Sequence, residues 1–143
     1  RDAEPEEVAL LIQQARDGGA EALAVSLLYA YANPQFEQLF AELLEGAAGD
    51  GLYLSISSQV SPEYREVERT ATTVLNAYVG PVMSRYLQRL EAGLAERGTG
   101  PLRVLQSDGG AASADGASRL PVATLLSGPA AGCTASPRAW VLQ

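Results

Sequence analysis

The sequence contains no histidine and no lysine: its ten basic side chains are all arginines, set against seventeen acidic ones. Without His, a Ser-His-Asp or Cys-His nucleophile system and a His-containing zinc site cannot be built within the chain. Without Lys, neither a Walker-type phosphate loop nor Schiff-base chemistry is available. Cys133 is the single cysteine, so an internal disulfide is excluded, and a reducing cytosol is the expected compartment. The longest apolar run, Ala22 to Ala32, has eleven residues and contains Ser26. A bilayer-spanning helix needs roughly 20, so the chain reads as soluble, with no membrane partner. The net charge of −7 comes with no basic block to track a phosphate backbone, which argues against nucleic acid as a partner.

What is present is enough for a core: 47% of the 143 residues are apolar. The start at Arg1 without Met, and without a basic-then-apolar signal segment, leads to the expectation of a processed, truncated or excised piece.

Apolar spacing predicts a helix over 4–16 with Val8, Leu11, Ile12 and Ala15 on its inner face, stopped by Gly18-Gly19. Residues 22–29 read as a strand covered on both faces. Asn33-Pro34 reads as an N-cap and first helical residue, before a helix striped by Phe36, Leu39, Phe40, Leu43 and Leu44. A second strand is expected over 52–58. Ser61-Pro62-Glu63 then opens a long helical pattern to Arg97, with Val67, Ala71, Val74, Tyr78, Val82, Tyr86, Leu90 and Leu94 as its stripe. Pro81 should kink or divide that helix. A third strand is expected over 102–106, a tight turn at Ser107 to Gly110, loop over 111–120 with at most a helical turn, and a fourth strand over 122–126. Ser127-Gly128-Pro129 then starts an Ala-rich helix that Pro137 ends or distorts. Alternating strands and helices give an α/β class with a mostly parallel sheet and flanking helices.

Ligands in open α/β sheets collect at the carboxyl ends of strands, which directs attention to Asn33, Ser107 to Gly110, and Ser127 to Gly132. The two Gly/Ser turns can let a phosphate approach the backbone, or can be ordinary connections. Asp108 beside two glycines can ligate Mg²⁺ or simply make a turn. Glu63, Arg65, Glu66, Glu68 and Arg69 form a charged cluster whose ordinary role is a solvated helix face. Tyr29, Tyr31, Tyr53 and Tyr86 read as core or strand-edge aromatics, and Cys133 as a small buried residue.

Four segments together carry a resemblance: AVSLLYAYANPQFEQ (24–38), SSQVSPEYREVERTATTVLNAYVGPV (57–82), VLQSDGG (104–110) and LLSGPAAG (125–132). In this order and spacing they resemble the A-type subunit of the hydantoinase/oxoprolinase family, which includes ATP-dependent N-methylhydantoinase, 5-oxoprolinase and acetone-type carboxylases. The resemblance implies a partial actin/Hsp70/sugar-kinase-like (ribonuclease H-like) fold closing over ATP and Mg²⁺. It also implies a junction near Glu68: residues 1–68 would end the family's N-terminal segment and 69–143 would begin its main ATPase segment. The family's two D-x-G-G-T phosphate turns are missing, so a fragment inactive on its own is expected. With the resemblance, Ser107, Asp108, Gly109, Gly110, Gly128 and Gly132 become the expected nucleotide-facing residues, and Asp108 keeps its own reading as a candidate metal contact. Ser127, Glu68 and Arg69 become candidate catalytic residues, with Arg65 beside them. Expected partners are the remainder of such a chain and a B-type subunit. Two other readings stay open, a non-catalytic scaffold and a piece of a carboxylase. Phe36 stands where the family commonly has His, Asp108 where it has Asn, and CTASPRAWVLQ from Cys133 onward departs from its pattern.

Overall fold

The computed structural model describes residues 5–46 and 51–140, and the chain divides into two compact units, Arg1–Pro81 and Val82–Gln143. In the first unit, α1 (Pro5–Asp17) leads to β1 (Ala22–Val25), α2 (Gln35–Gly46), β2 (Tyr53–Ile56) and the single turn α3 (Ser57–Val60). Strands β1 and β2 pair in parallel, with Ala22 opposite Tyr53 and Val25 opposite Ile56. The helix α4 (Glu66–Glu96) contributes its first half to this unit. The core is small: Val8 and Ile12 from α1, Val25, Ala30, Ile56 and Ala77 are each at most 6% exposed. Leu11, expected beside Ile12, is exposed, because the inward side of α1 is narrower than its apolar spacing suggests. The first strand stops at Val25 rather than Tyr29. Tyr29 takes a left-handed backbone conformation with φ 59°, which no strand accommodates.

The long helix departs most from the expected pattern. It begins at Glu66 rather than after Ser61-Pro62, and it runs unbroken through Pro81. The stripe expected to be buried is largely outside: Val67, Val74, Tyr78, Val82 and Tyr86 are all more than half exposed, whereas Arg69, Thr73 and Asn76 are buried. Gly80 is a packing residue, since a Cβ there would stand 2.3 to 2.5 Å from the Tyr53 ring.

In the second unit β3 (Arg103–Leu105) pairs antiparallel with β4 (Ala111–Ser113), Val104 opposite Ala112. The chain continues through α5 (Ala114–Arg119), a 3-10 turn (Pro121–Thr124) and α6 (Ser127–Trp140). The stretch 111–120, expected as loop, is therefore strand and helix, and Ser113 Oγ caps α5 by accepting from Gly116 N. The fourth strand expected over 122–126 is absent. Pro121 sits in the first turn of the 3-10 helix and Thr124 Oγ1 bonds back to the Pro121 carbonyl, a local bond that competes with sheet pairing. Among the described residues the sheets are thus one parallel and one antiparallel pair, not a mostly parallel sheet, though the alternation of strands and helices is α/β. Helix α6 also continues through Pro137. Among the described residues no helix is long and apolar enough to cross a membrane.

Candidate functional site

The first unit holds a polar cluster where its two parallel strands end. Glu37, in the first turn of α2, is completely buried. Its Oε1 accepts from Leu27 N at 2.8 Å and from Ser57 Oγ at 2.7 Å, and its Oε2 accepts from Ser58 N at 2.8 Å. One side chain therefore ties the segment leaving β1 to the segment leaving β2 through charge-assisted bonds.

Arg69 fastens the same segment from the other side. Its guanidinium, 1% exposed, donates to the Leu27 carbonyl at 2.7 Å, to the Glu63 carbonyl at 3.0 Å and to Glu66 Oε2. Its Cζ lies 5.7 Å from the centroid of the Tyr31 ring, within cation–π range. Glu66 Oε1 in turn accepts from Tyr29 N, and Ser26 Oγ lies 2.8 Å from Thr70 Oγ1. Both peptide groups of Leu27 and the amide of Tyr29 are thus held by side chains of α2 and α4, which keeps the left-handed Tyr29 in place. The loop so fixed presents Leu28 and Tyr29, 77% and 69% exposed. Of the tyrosines read as core or strand-edge groups, Tyr29, Tyr31 and Tyr86 are exposed and only Tyr53 is half-buried on a strand. Burial pushes the Tyr53 phenol above its ordinary titration range, partly offset by the bond from Asn76 Nδ2 at 3.3 Å. Asn76 also donates to Ser55 Oγ, which donates to the Thr73 carbonyl, so β2 meets α4 through a polar seam.

The second unit holds both Gly/Ser segments, but only Ser107 to Gly110 is a turn: Ser127 to Gly132, also read as a turn, forms the first turns of α6. Ser107 to Gly110 follows β3, as expected, with Gly109 at φ 83° and Asp108 Oδ1 accepting from Gly110 N at 2.8 Å. The Ser107 turn meets the stretch that enters α6: Ser107 Oγ accepts from Leu126 N at 3.1 Å, and Ser107 N donates to the Ala123 carbonyl. With φ at 83° a side chain on Gly109 is strained, and its Cβ would also stand 2.9 Å from Thr134 Oγ1 on α6. Ser127 is the first residue of α6 but follows a 3-10 turn, not a strand. Gly128 and Gly132 are exposed, with open space where a Cβ would be, and Cys133 is exposed rather than buried.

The charged cluster separates into different roles. Glu68 is exposed, 3.8 Å from Arg65, as a solvated helix face would be. Arg69 and Glu66 are built into the clamp instead. Glu37, Ser55, Ser57, Thr73 and Asn76 were not singled out by the sequence. The signal for Thr73 and Asn76 was a spacing, with Arg69, Thr73, Asn76 and Gly80 at i, i+4, i+7 and i+11 on one side of α4. Among the described residues no three His, Cys, Asp or Glu side chains gather as metal ligands. A metal at Asp108 would thus take its other ligands from phosphate, water or other chain, as Mg²⁺ commonly does.

A sequence profile of the hydantoinase/oxoprolinase family matches residues 69–140, half of the chain and past the point where the pattern was expected to fail. The caprolactamase alpha subunit of Pseudomonas jessenii is 36% identical over 85% of this chain and 18% of its own length. The 5-oxoprolinase of Saccharomyces cerevisiae is 32% identical over 80% of this chain and 9% of its own. Among solved structures, the ATP-dependent caprolactamase of P. jessenii superposes with a TM-score of 0.72 and 33% identity, covering 92% of this chain and 20% of that one. Nucleotide-free acetone carboxylase superposes with a TM-score of 0.70 and 25% identity, over 93% and 19% respectively. The chain spans a fifth or less of the length of these relatives. On the profile match over half its length, the chain belongs to the hydantoinase/oxoprolinase family.

Proposed function

We propose that this chain is a section of an ATP-dependent cyclic-amide hydrolase, in which Ser107 to Gly110 and Ser127 to Gly132 line the nucleotide side of an actin-like cleft. The observation that carries the reading is the direct bond from Leu126 N to Ser107 Oγ, which ties the Ser107 turn to the residue that precedes the N-terminus of α6. The open space beside Gly128 and Gly132 supports it, because a backbone without Cβ lets an anion come close. Relatives whose names denote lactam or oxoproline chemistry support the substrate class. ATP would supply a phosphoryl group that turns the amide oxygen into a leaving group, and Mg²⁺ would offset phosphate charge. The residues here would orient: Ser107 holds the α6 entry in register, Gly109 sets the turn against α6, and Asp108 offers a carboxylate toward a metal. Ser127 stands at the helix start. Glu68 and Arg69 belong to the first unit, where Arg69 acts by fixing the loop after β1. The segment junction at residues 68 and 69 is part of the same reading, supported by a profile match that begins at Arg69. A B-type subunit as partner also belongs to it, since the caprolactamase and acetone carboxylase relatives are named as subunits.

The test is a phosphate-release assay and a calorimetric titration of the 143-residue chain with ATP and Mg²⁺. Positioning supplies nearly all of phosphoryl-transfer catalysis, and the D-x-G-G-T turns lie outside this sequence. The expected result is no turnover and binding no tighter than millimolar, about 4 kcal/mol. Turnover that disappears in Ser127→Ala or Asp108→Ala would overturn the fragment reading.

A further inference from the structure

Helix α4 is amphipathic the wrong way round. A surface helix buries its apolar stripe and shows charged residues to water. Here the stripe Val67, Ala71, Val74 and Tyr78, at i, i+4, i+7 and i+11, is exposed, with Val67 at 79%, Val74 at 53% and Tyr78 at 80%. The opposite side, Arg69, Thr73 and Asn76, is at most 1% exposed and hydrogen-bonded within the unit, with Thr73 Oγ1 donating to the Arg69 carbonyl, although Arg69 Nε has no partner among the described residues. The helix also carries no charged side chain from Thr70 to Ser84, about four turns.

We propose that this outer face of α4 is an interface for another part of a hydantoinase/oxoprolinase chain, an apolar surface lying outside these 143 residues. The inference deepens the reading of the chain as a section of a larger enzyme and rests on it for the partner. The partner follows from length. The two superposed relatives match nearly all of this chain with about a fifth of their own, so some four-fifths of the family protein has no counterpart here. The exposed stripe also lies largely within the stretch matched by the family profile, so the face belongs to the shared fold. A second copy of the chain would also be apolar, and self-association is therefore one arm of the test.

The probe is the P. jessenii caprolactamase alpha subunit with the stretch matching this chain deleted, titrated against the chain without nucleotide. Binding is expected, with at least a tenfold loss in Val74→Asp and Tyr78→Asp and little change in Tyr78→Phe. Both aspartate variants should melt with the isolated chain, since neither position is buried in it. As a second measurement, the 143 residues are spliced into the intact subunit in place of the matching stretch. There the same aspartate substitutions should lower the melting temperature by several degrees. Equal binding by the variants, no binding by the unaltered chain, or an unchanged melting temperature in the spliced protein would overturn the proposal. So would self-association of the chain that the aspartates abolish, since the face would then be occupied by a second copy. Because ATP is left out, failure of the proposed chemistry leaves this result untouched, and failure of binding leaves the nucleotide titration to be judged separately.

Discussion

Replacing Glu37 by Gln changes the shape of the side chain by almost nothing, so any loss of stability must come from its hydrogen bonds. In the native cluster one oxygen serves Leu27 N and Ser57 Oγ and the other serves Ser58 N. An amide has only one acceptor oxygen. If it keeps the Leu27 and Ser57 bonds, the NH₂ faces Ser58 N; if it flips, the NH₂ faces Leu27 N. In either orientation a buried backbone N–H points at another donor, which costs about 1–3 kcal/mol. The bonds that survive also lose their charge assistance, adding about 1 kcal/mol. The expected loss is about 2–4 kcal/mol, a large part of the 5–15 kcal/mol that holds typical domains together. Urea unfolding followed by circular dichroism measures the total, and amide exchange at Leu27 and Ser58 locates it. Protection should fall at those two amides first. A loss under about 1 kcal/mol with an unchanged denaturant slope, and unaltered exchange at both amides, would refute the claim that Glu37 ties the two strand ends together.

Gly80→Ala gains helix propensity worth about 1 kcal/mol, yet its Cβ meets the Tyr53 ring, an overpacking cost of about 1–3 kcal/mol; net destabilisation is expected by thermal melting, with recovery in the Tyr53→Ala background. The raised Tyr53 phenol gives a second check. Its folded state keeps the proton longer than the unfolded state does, so its contribution is intact below about pH 10 and is lost as pH rises above that value. Tyr53→Phe should flatten the alkaline decline in stability. In the second unit, Ser107→Ala should cost about 0.5–2 kcal/mol by freeing Leu126 N. Gly109→Ala should cost more, because it adds a strained φ to the contact with Thr134, and both are read by urea unfolding.

The helices α1 and α2 and the parallel strands could be located from the sequence because local spacing suffices for that, but local pattern and tertiary role agree there only in part, since Leu11 and Phe36 are exposed and Glu37 is buried. Where they disagree, the sequence misled. Val122 to Leu126 has strand composition, yet Pro121 and the Thr124 back-bond wind it into a 3-10 turn. The α4 stripe obeys helical spacing, but periodicity says only that one side is apolar, not that the partner lies within the same chain. The clamp was half legible. Arg69 stood out as a charge in a motif, but its ordinary reading was a solvated pair, and what buries it is the Leu27 carbonyl forty-two positions away. Glu37 gave less signal still, one of three carboxylates in α2, because its three donors come from segments that meet only after β1 and β2 pair. The Ser107 turn and the helix start at Ser127 were both visible, and the bond from Leu126 N that joins the turn to the entry of α6 was not.

The proposed nucleotide side of the chain is tested most directly by amide shift mapping of the isotopically labelled 143 residues during a titration with Mg²⁺ and ATP, carried to millimolar concentration where weak binding is seen. The account predicts Mg²⁺-dependent shifts concentrated at Ser107 to Gly110 and Ser127 to Gly132, reduced in Ser107→Ala. Shifts that fall instead on the first unit, or amides of both turns that do not move at any concentration, would contradict it.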